Sequence, residues 1–456
     1  MIPKNRPINK TIGGVRIERS ELIRLSIGSI GMALSYNVLT MNLQDYLQKT
    51  AFSGNPNLAW LHAFTVITIA FGIGAFTFLF AGWLSDKTYT RWGRRPYLLF
   101  AIPGAIALIL LGLNYISLPF ASIFILLSCL ATTYMVTYRL MYTSYFALYQ
   151  DLTKPEDRVK TTVTFNIFGL VGIGIAIVIP LFDPATDSNY FAITLICSLV
   201  YIATVLFVFF FGPKEKLDRI QKVENPSVLS SIGQTFKDKN FKNYALASFF
   251  ASFTFSMMMF ILKPFLDWKL NPSTVDRTPR PVTIPIDFMV LLACMLPLAL
   301  LLFYFSNYAA KRWGKLRLFK WILIFSFLTF PFGIFLTNQG SPISLIIQLF
   351  IVTSFVIFVI VIILSLQNAI LMDITPKGKE ATYTGVFFFM VVAPFPLASQ
   401  LAGVLLAVFN YDVAGFWLGN NTGSDFAYAL MMIFMAIALF ISWLFLRRVK
   451  YEEVIE

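Results

Sequence analysis

The chain has few charged residues and few of the side chains that usually carry enzyme chemistry. Charged residues make up 13% of its 456 positions, and it contains one histidine and three cysteines. With 57% hydrophobic residues, this composition excludes an ordinary soluble domain. The sequence has no Walker-type phosphate loop and no acidic pair within an apolar run, so neither direct use of ATP nor a lipid-modifying membrane enzyme is expected.

The cysteines and the basic residues also exclude classes of partner. Cys129, Cys197 and Cys294 lie in three different apolar runs and are expected to pack against neighbouring helices, not to form a disulfide or a metal site. No cofactor is expected. The net charge of +13 is divided among short segments and forms no contiguous basic patch, so a nucleic-acid partner is not expected.

What the chain does contain is a series of long apolar runs. A helix crosses the hydrocarbon core of a bilayer, roughly 30 Å thick, with about 20 apolar residues, and lipid requires that backbone groups be paired within helices. The runs that meet this length lie near 22–47, 58–81, 97–116, 119–148, 160–182, 190–211, 243–266, 284–306, 316–337, 342–370, 382–409 and 426–446. We predict an all-α membrane protein with twelve transmembrane helices in the lipid bilayer.

The positions of lysine and arginine predict the orientation of these helices. Basic residues concentrate at the N-terminus, after the second, fourth, sixth, eighth and tenth runs, and at the C-terminus. Basic residues in short loops stay on the cytoplasmic side, and twelve helices place all of these segments on one side. Both the N- and C-termini are therefore predicted to be cytoplasmic.

Two loop patterns recur at nearly the same offset along the chain. Arg91 and Arg312 lie in similar basic loops, and Asp151 and Asp373 follow the fourth and tenth runs. The two pairs have almost identical separations, each close to half the chain length. A shared offset of this size predicts two six-helix pseudo-symmetric halves, an arrangement that places a substrate site at their interface. The predicted halves are residues 1–211 and 241–456, and the cytoplasmic linker between them is 212–240.

Within the linker, apolar residues recur every four positions at Val228, Ile232 and Phe236. That spacing predicts a short amphipathic helix at the membrane surface. The alternative is a linker without regular structure.

The loop from Gly82 to Pro96 carries the most specific pattern in the sequence. It reads G-x-x-S-D-x-x-x-x-R-W-G-R-R-P, and it resembles the corresponding loop of the glycoside-pentoside-hexuronide cation symporters and of the related sucrose transporters. The segments 33–40 and 147–152 are similar to parts of the first and fourth helices of those transporters. The resemblance implies the major facilitator fold, alternating access and a sugar as substrate.

The same loop and its repeat are predicted to gate transport. Asp86 can accept hydrogen bonds and pair with a guanidinium such as that of Arg91, and glycines permit close packing. Such a cluster would hold the two halves together on the cytoplasmic side in one state only. The predicted gating residues are Gly82, Asp86, Arg91, Gly93, Arg94, Arg95, Asp151, Glu156, Arg158, Arg312, Gly314 and Asp373. The alternative is that these charges serve only to orient the chain.

Arg139 is the clearest ionisable residue inside an apolar run, where such groups are costly and mark functional sites. It lies among tyrosines that share one face of the fourth helix. Aromatic rings can stack on a sugar, and hydroxyls, amides and a guanidinium can bond its hydroxyls. The predicted substrate-binding residues are Tyr36, Asn37, Tyr134, Tyr138, Arg139, Tyr142, Asn166, Gln367, Asn368 and Gln400. The alternative is that the tyrosines pack between helices and that the amides bond neighbouring helices.

Ion coupling is where the chain departs from the pattern that the resemblance implies. The related symporters place an acidic residue in the first or fourth helix for the cation, and this chain has Ser35 and Tyr142 in those regions. The remaining candidates for a proton carrier are Asp45 and Asp287, at predicted outer helix ends, and His62.

We therefore predict a secondary transporter that moves a di- or oligosaccharide across the cell membrane as a monomer, in symport with a proton. Sodium is the alternative ion. An uncoupled sugar facilitator or a multidrug-type exporter on the same fold is the alternative function.

Overall fold

The computed structural model describes residues 19–39, 56–87, 95–113, 119–153, 158–178, 187–213, 228–270, 288–329, 363–376, 380–408 and 423–450, together with Ser354, Phe358 and Val361. Across these residues the regular structure is helical and contains no β-strand. The predicted all-α class is confirmed.

The α-helices in this part of the chain are α1 (Arg19–Ser26), α2 (Gly28–Asn37), α3 (Pro56–Lys87), α4 (Ala101–Leu111), α5 (Phe120–Leu152), α6 (Arg158–Val178), α7 (Asp187–Phe211), α8 (Val228–Lys237), α9 (Lys239–Leu270), α10 (Phe288–Trp313), α11 (Lys315–Thr329), α12 (Ile363–Ile374), α13 (Glu380–Val392), α14 (Pro394–Val408) and α15 (Gly423–Arg447). A 3-10 helix, Arg95–Phe100, precedes α4.

Within the described residues, five spans are long and apolar enough to cross a membrane. They are Thr65–Ser85, Ala121–Tyr149, Phe191–Phe211, Thr382–Leu405 and Ala427–Arg447. Each coincides with one of the predicted runs. At about 1.5 Å per residue, even a span of 21 residues reaches ~32 Å, which matches the hydrocarbon core. The total of twelve helices stays a prediction.

The eleventh predicted membrane helix is interrupted at Ala393, between α13 and α14. Pro394 has no N–H to donate, and its ring crowds the carbonyl four residues earlier, which accounts for the interruption. The Ala393 N–H still donates to the Phe389 carbonyl at 2.8 Å. The interruption is therefore confined to one residue.

Helices from the first part of the chain pack around α2 and α5. α2 packs against α6 and α7, and α5 packs against α3 and α4. Glycine brings α2 and α6 into backbone contact, because a methyl group added at Gly172 would overlap the Ile30 carbonyl oxygen. Small residues allow this kind of close approach in membrane bundles.

Helix α3 joins the first part of the chain to the second. It packs along α13 and α14 as well as α5. Phe71 stacks on Phe395 with ring centres 5.3 Å apart, and Phe78 lies 5.4 Å from Phe388, so α3 runs antiparallel to α13 and α14. We call this contact the α3 seam. A second contact between the two parts of the chain is made by α6 and α10.

Helix α8 confirms that the predicted linker contains an amphipathic helix. Ile232 and Phe236 pack against the hydrophobic core, and Thr235 is buried. α8 contacts α3, α9 and α13, so it touches helices from both parts of the chain. Its apolar residues, four apart, give it one packing face.

The two cysteines with described side chains differ in environment. Cys197 is buried on α7, as expected of a packing residue, whereas Cys129 is exposed on α5. The packing prediction is wrong for Cys129 because that residue lies on the outer face of α5, where Ile125 and Thr133 are also exposed.

We expect Gly172→Ala to destabilise the protein. The added methyl group has no space beside Ile30, and overpacking of this kind costs about 1–3 kcal/mol. The matched control is Gly72→Ala, since a methyl group there meets nothing within 4 Å. Thermal unfolding of the purified protein in detergent measures both variants, and equal melting temperatures would contradict the close approach of α2 and α6.

Candidate functional site

Arg139 lies on α5 with its guanidinium among aromatic rings. Its side chain is 5% exposed. The Cζ atom is 4.9 Å from the ring centre of Phe78, 5.2 Å from that of Tyr138, 5.3 Å from that of Tyr36 and 5.8 Å from that of Phe71. These distances are typical of cation–π interactions, which contribute up to about 2 kcal/mol each when desolvated. We call Arg139 and these four rings the arginine cage.

Close packing of α3 and α5 sets the position of the guanidinium. A methyl group added at Gly74 of α3 would lie 3.2 Å from Met135 Cβ and 3.7 Å from Arg139 Cγ. Glycine at this position therefore lets the aliphatic stem of Arg139 pack on α3. The guanidinium reaches Tyr36 of α2, whose ring it overlies.

The tyrosines of α5 divide into two groups. Tyr134 donates to Ser35 Oγ at 2.8 Å, and Tyr149 donates to a serine hydroxyl of α1 at 2.9 Å. Both residues are fully buried, so their hydroxyls hold helices together. This agrees with the alternative interpretation, in which the tyrosines of this helix face pack between helices. Tyr138 and Tyr142 lie between them, stack on each other at 5.8 Å and adjoin Arg139.

Tyr36 and Tyr142 keep accessible surface although helices surround them. Both are half-buried. Tyr36 packs against rings of α3 and α5, and Tyr142 packs against rings of α3, α6 and α13. Neighbouring helices therefore contact both rings without covering them completely in the described structure. These two rings adjoin Arg139.

Five aromatic rings pack together beside the cage. Phe388 of α13 lies 5.4 Å from Phe78, 5.2 Å from Tyr142 and 5.1 Å from Phe146. Phe165 of α6 packs edge-on against Tyr142 and Phe146. We call these five rings the aromatic floor. It combines rings from both parts of the chain.

Gly82 and Gly385 bring α3 and α13 together one turn beyond the floor. A methyl group added at Gly385 would lie 2.5 Å from the Phe78 carbonyl oxygen and 3.1 Å from Gly82 Cα. A larger side chain would separate the helices. Gly82, one of the predicted gating residues, therefore lies in a backbone contact between the two parts of the chain.

Asp373, at the end of α12, pairs with two cations. Its Oδ1 atom is 3.2 Å from Arg158 Nη1, and its Oδ2 atom is 2.7 Å from Lys315 Nζ. Arg158 also donates to the Met372 carbonyl at 2.5 Å. Arg158 begins α6 and Lys315 begins α11, so the cluster ties the first part of the chain to the second. We call it the ionic latch, and the end of the bundle that holds it the basic end.

The other predicted gating residues have different positions. Gly314 has a φ of 83°, the left-handed conformation that glycine adopts where a helix ends, and it separates α10 from α11. Arg312 is exposed and donates to Tyr308 on its own helix at 3.2 Å, and the cation that reaches Asp373 is Lys315. The side chains of Asp86, Arg95 and Asp151, and all of Arg91, Gly93, Arg94 and Glu156, lie outside the described residues.

Two of the predicted amides form hydrogen bonds between helices. Asn166 of α6 donates to a carbonyl of α12 at 3.5 Å, and Gln400 of α14 accepts from a threonine of α3 at 3.4 Å. Both bonds cross between the two parts of the chain. Asn37 donates to a carbonyl of its own helix at 2.7 Å. Gln367 and Asn368 are buried on α12, and within the described structure Gln367 Nε2 has no hydrogen-bond partner.

Of the coupling candidates, the described residues include only His62. It is half-buried on α3, and its ring lies edge-on to Phe124 with ring centres 6.3 Å apart. Asp45 and Asp287 lie outside the described residues.

Sequence reasoning missed the phenylalanines of the α3 seam, although a signal for them exists. Phe71 and Phe78 are seven residues apart, and so are Phe388 and Phe395. Seven residues make two helical turns, which places each pair on one face. Two antiparallel helices with this spacing can match both pairs of rings along one contact. Lys315 is the last residue of the basic loop around Arg312, but it was not among the predicted gating residues.

The arrangement supplies binding groups and no obvious reactive group. The cage offers flat rings and guanidinium N–H donors, a combination that suits a ligand with apolar faces and polar edges. Over the described part of the chain, no group of three His, Cys, Asp or Glu side chains could hold a metal ion.

We expect Asp373→Asn to loosen the basic end. The substitution keeps the size of the side chain and removes the charge that pairs with both cations. Ion pairs with this partial exposure contribute about 1 kcal/mol, which corresponds to roughly a fivefold change in population. Ser85, buried on α3 near Gly82, provides the measurement: Ser85→Cys, in a chain without native cysteines, should react about fivefold faster with an impermeant thiol reagent.

Glu21→Gln is the matched control for that experiment, because it removes one negative charge from α1 and leaves the latch intact. If the two substitutions give the same labelling rate at position 85, the latch does not hold the basic end closed.

A family model described as "MFS/sugar transport protein" matches residues 25–449, which is nearly the whole chain. No curated protein sequence is significantly similar to the chain.

Solved structures of transporters share the fold. A human organic anion transporter has a TM-score of 0.65 at 13% identity and covers 93% of this chain and 99% of its own. A nucleoside transporter has a TM-score of 0.63 at 14% identity and covers 93% and 99%. The E. coli fucose:proton symporter has a TM-score of 0.62 at 14% identity and covers 96% and 100%. With helices long and apolar enough to cross a membrane and a family match over almost its full length, the chain belongs to the major facilitator sugar transport family and is a multi-pass membrane transporter, not an enzyme.

Proposed function

We propose that this transporter carries a glycoside, a di- or oligosaccharide, across the cell membrane by alternating access, in symport with a proton. The observation that carries the proposal is the arginine cage. It combines stacking surfaces with hydrogen-bond donors at a seam between the two parts of the chain. We further propose that one chain is sufficient for transport.

The chemistry of the cage suits a sugar. A pyranose has C–H faces that pack on aromatic rings and hydroxyls that accept hydrogen bonds at its edges. Tyr138 and Tyr142 offer adjacent rings, and Arg139 offers the donors. Asn166 and Gln400 lie where the two parts of the chain meet, so their amides are proposed to bond the sugar when the contact opens.

We propose that residues 1–211 and 241–456 move as two halves about the linker 212–240. The contacts that support this are those of α3 with α13 and α14, and of α6 with α10. The aromatic floor, the glycine contact and the ionic latch lie successively closer to the basic end. Separating them would open a path from the cage to that end, which the basic loops and both termini predict to be cytoplasmic.

The repeat extends the gating proposal to the first half. Lys315 lies about half the chain length after Arg94 in the sequence, and Asp373 lies at almost the same distance after Asp151. We propose the same gating role for both pairs. The neighbouring residues Asp86, Arg91, Gly93, Arg95 and Glu156 belong to the same loops of the first half.

A proton is proposed as the coupling ion because one transporter of the same fold is a fucose:proton symporter. Asp45 and Asp287 are the proposed carriers, with His62 as the third candidate. The alternative, an uncoupled facilitator or an exporter, is favoured by one observation. Between residues 22 and 39 and between 119 and 150 the sequence has no acidic residue, so these segments of the first and fourth membrane helices offer no carboxylate for a cation.

We expect Tyr138→Ala to weaken sugar binding about tenfold, because it removes a stacking surface worth roughly 1 kcal/mol or more. Tyr138→Phe keeps the ring and should retain most of the affinity. The measurement is a thermal-shift titration with the disaccharide that most stabilises the wild type in a screen. Tyr149→Phe is the control, since its hydroxyl bonds α1 and its loss should lower stability without changing affinity. If no disaccharide stabilises the wild type, the glycoside proposal fails.

We expect addition of sugar to proteoliposomes to raise the external pH as protons enter with the substrate. Asp45→Asn or Asp287→Asn should abolish the pH change and the accumulation of sugar while leaving counterflow of labelled sugar intact, because exchange does not require net proton movement. Uptake that stops at equal concentrations without a pH change would favour the uncoupled facilitator.

A further inference from the structure

The turn that joins α10 to α11 concentrates positive charge without a counter-charge of its own. Five of the ten residues from 311 to 320 are lysine or arginine. The sequence contains no aspartate or glutamate between residues 288 and 372, whereas each of the other basic segments of the chain contains at least one acidic residue. Orientation in the membrane needs only an excess of basic residues in a loop, so it does not explain why acidic residues are missing from this one.

Three of these basic side chains are exposed. They are Lys311, Arg312 and Arg317, and the described ion pairs of the ionic latch include none of them. Arg312 donates one hydrogen bond to Tyr308 on its own helix, which leaves other N–H groups of the guanidinium for a ligand. All three residues lie within about one helical turn of Gly314, so their charges act on the same region.

An exposed aromatic surface continues from these charges along both helices. On α10, Tyr304 is 76% exposed and Tyr308 is 56% exposed, and on α11 Trp321 is 66% exposed. The two tyrosines precede Arg312 at intervals of four residues, and Trp321 follows Arg317 by four, so each arginine shares a helix face with aromatic rings. At 1.5 Å per residue, the rings lie about 6–12 Å farther from the turn than the arginines.

This order of groups matches a phospholipid with a negatively charged headgroup. Arginine binds phosphate through charge-assisted hydrogen bonds, and aromatic rings with a polar atom favour the interface between headgroups and hydrocarbon. Leu301 of α10 and Leu328 of α11, farther along each helix, are also exposed and can contact acyl chains. At the turn itself, Trp313 packs edge-on against Phe305 with ring centres 6.4 Å apart and stays 47% exposed.

We propose that this surface binds an anionic phospholipid of the leaflet at the basic end. Lys311, Arg312 and Arg317 contact the phosphate, and the aromatic residues of α10 and α11 contact the glycerol backbone and the acyl chains. We call it the lipid site. A soluble anion would use the charges but not the aromatic surface. The lipid site shares no residue with the arginine cage or the ionic latch, so it does not depend on the identity of the transported substrate.

The test uses quenching of tryptophan fluorescence in the purified full-length protein in detergent. The protein is titrated with phosphatidylglycerol whose acyl chains carry bromine, and in parallel with brominated phosphatidylcholine. We expect saturable quenching by phosphatidylglycerol at concentrations about tenfold lower, or lower still, because each basic residue near an anionic lipid strengthens binding about fivefold. The chain has eight tryptophans, and Trp313→Phe combined with Trp321→Phe should remove most of the saturable quenching, since bromine quenches only nearby rings.

Charge variants separate a defined site from general attraction to a basic protein. Lys311→Gln combined with Arg317→Gln should weaken binding of phosphatidylglycerol about 25-fold. The matched control is Arg24→Gln combined with Lys242→Gln, which removes two exposed basic residues from α1 and α9 and should change the affinity less than about twofold. Equal melting temperatures without lipid show that both variants are folded. If the double variant does not fold, each of its substitutions is tested alone, with an expected loss of about fivefold.

Four outcomes overturn the proposal. Equal affinity for the two lipids excludes a site for an anionic headgroup. Equal weakening by the two double variants shows attraction to the overall charge of the protein. Displacement of phosphatidylglycerol by inorganic phosphate alone assigns the charges to a soluble anion. A dimer of the lipid-free protein that protects Trp313 from a soluble quencher, and that persists when phosphatidylglycerol is added, assigns the surface to a second copy of the chain.

Discussion

The antiparallel packing of α3 against α13 and α14 is the contact on which the rest of the site depends. It aligns Phe71 with Phe395 and Phe78 with Phe388, so two of the rings around Arg139 are supported by helices from the other part of the chain. The backbone approach at Gly385 fixes the separation of the helices at one end. Any movement that parts this seam must change the cage, the floor and the glycine contact together.

Two different interactions hold the ends of this arrangement. At the basic end, Asp373 pairs with Arg158 and Lys315 in a partly exposed cluster, where water and mobile side chains lower the cost of separating the charges. Deeper in the bundle, Arg139 is buried among rings and its charge has no partner among the described residues. We propose the first cluster as a contact that opens and closes, and the second as part of the substrate site.

Tyrosine has two roles on the same face of α5. The hydroxyls of Tyr134 and Tyr149 bond serines of α2 and α1 and so attach α5 to the first membrane helix. Tyr138 and Tyr142 lie on the same helical face, yet they adjoin Arg139, whose stem packs on α3 at a glycine. Helical spacing alone does not distinguish these roles, since it gives the face but not the neighbour.

The sequence by itself determined the helical class, the membrane location and the family, because apolar runs of membrane length and the loop from Gly82 to Pro96 are local features that need no partner to be recognised. It also identified Arg139, since a charge in an apolar run is conspicuous wherever it packs. Only the tertiary structure decided that Lys315 and not Arg312 reaches Asp373, that the phenylalanines of α3 enclose the guanidinium, and which tyrosines are structural. Those outcomes depend on which helices meet and at what depth, and packing between segments far apart in the sequence sets both.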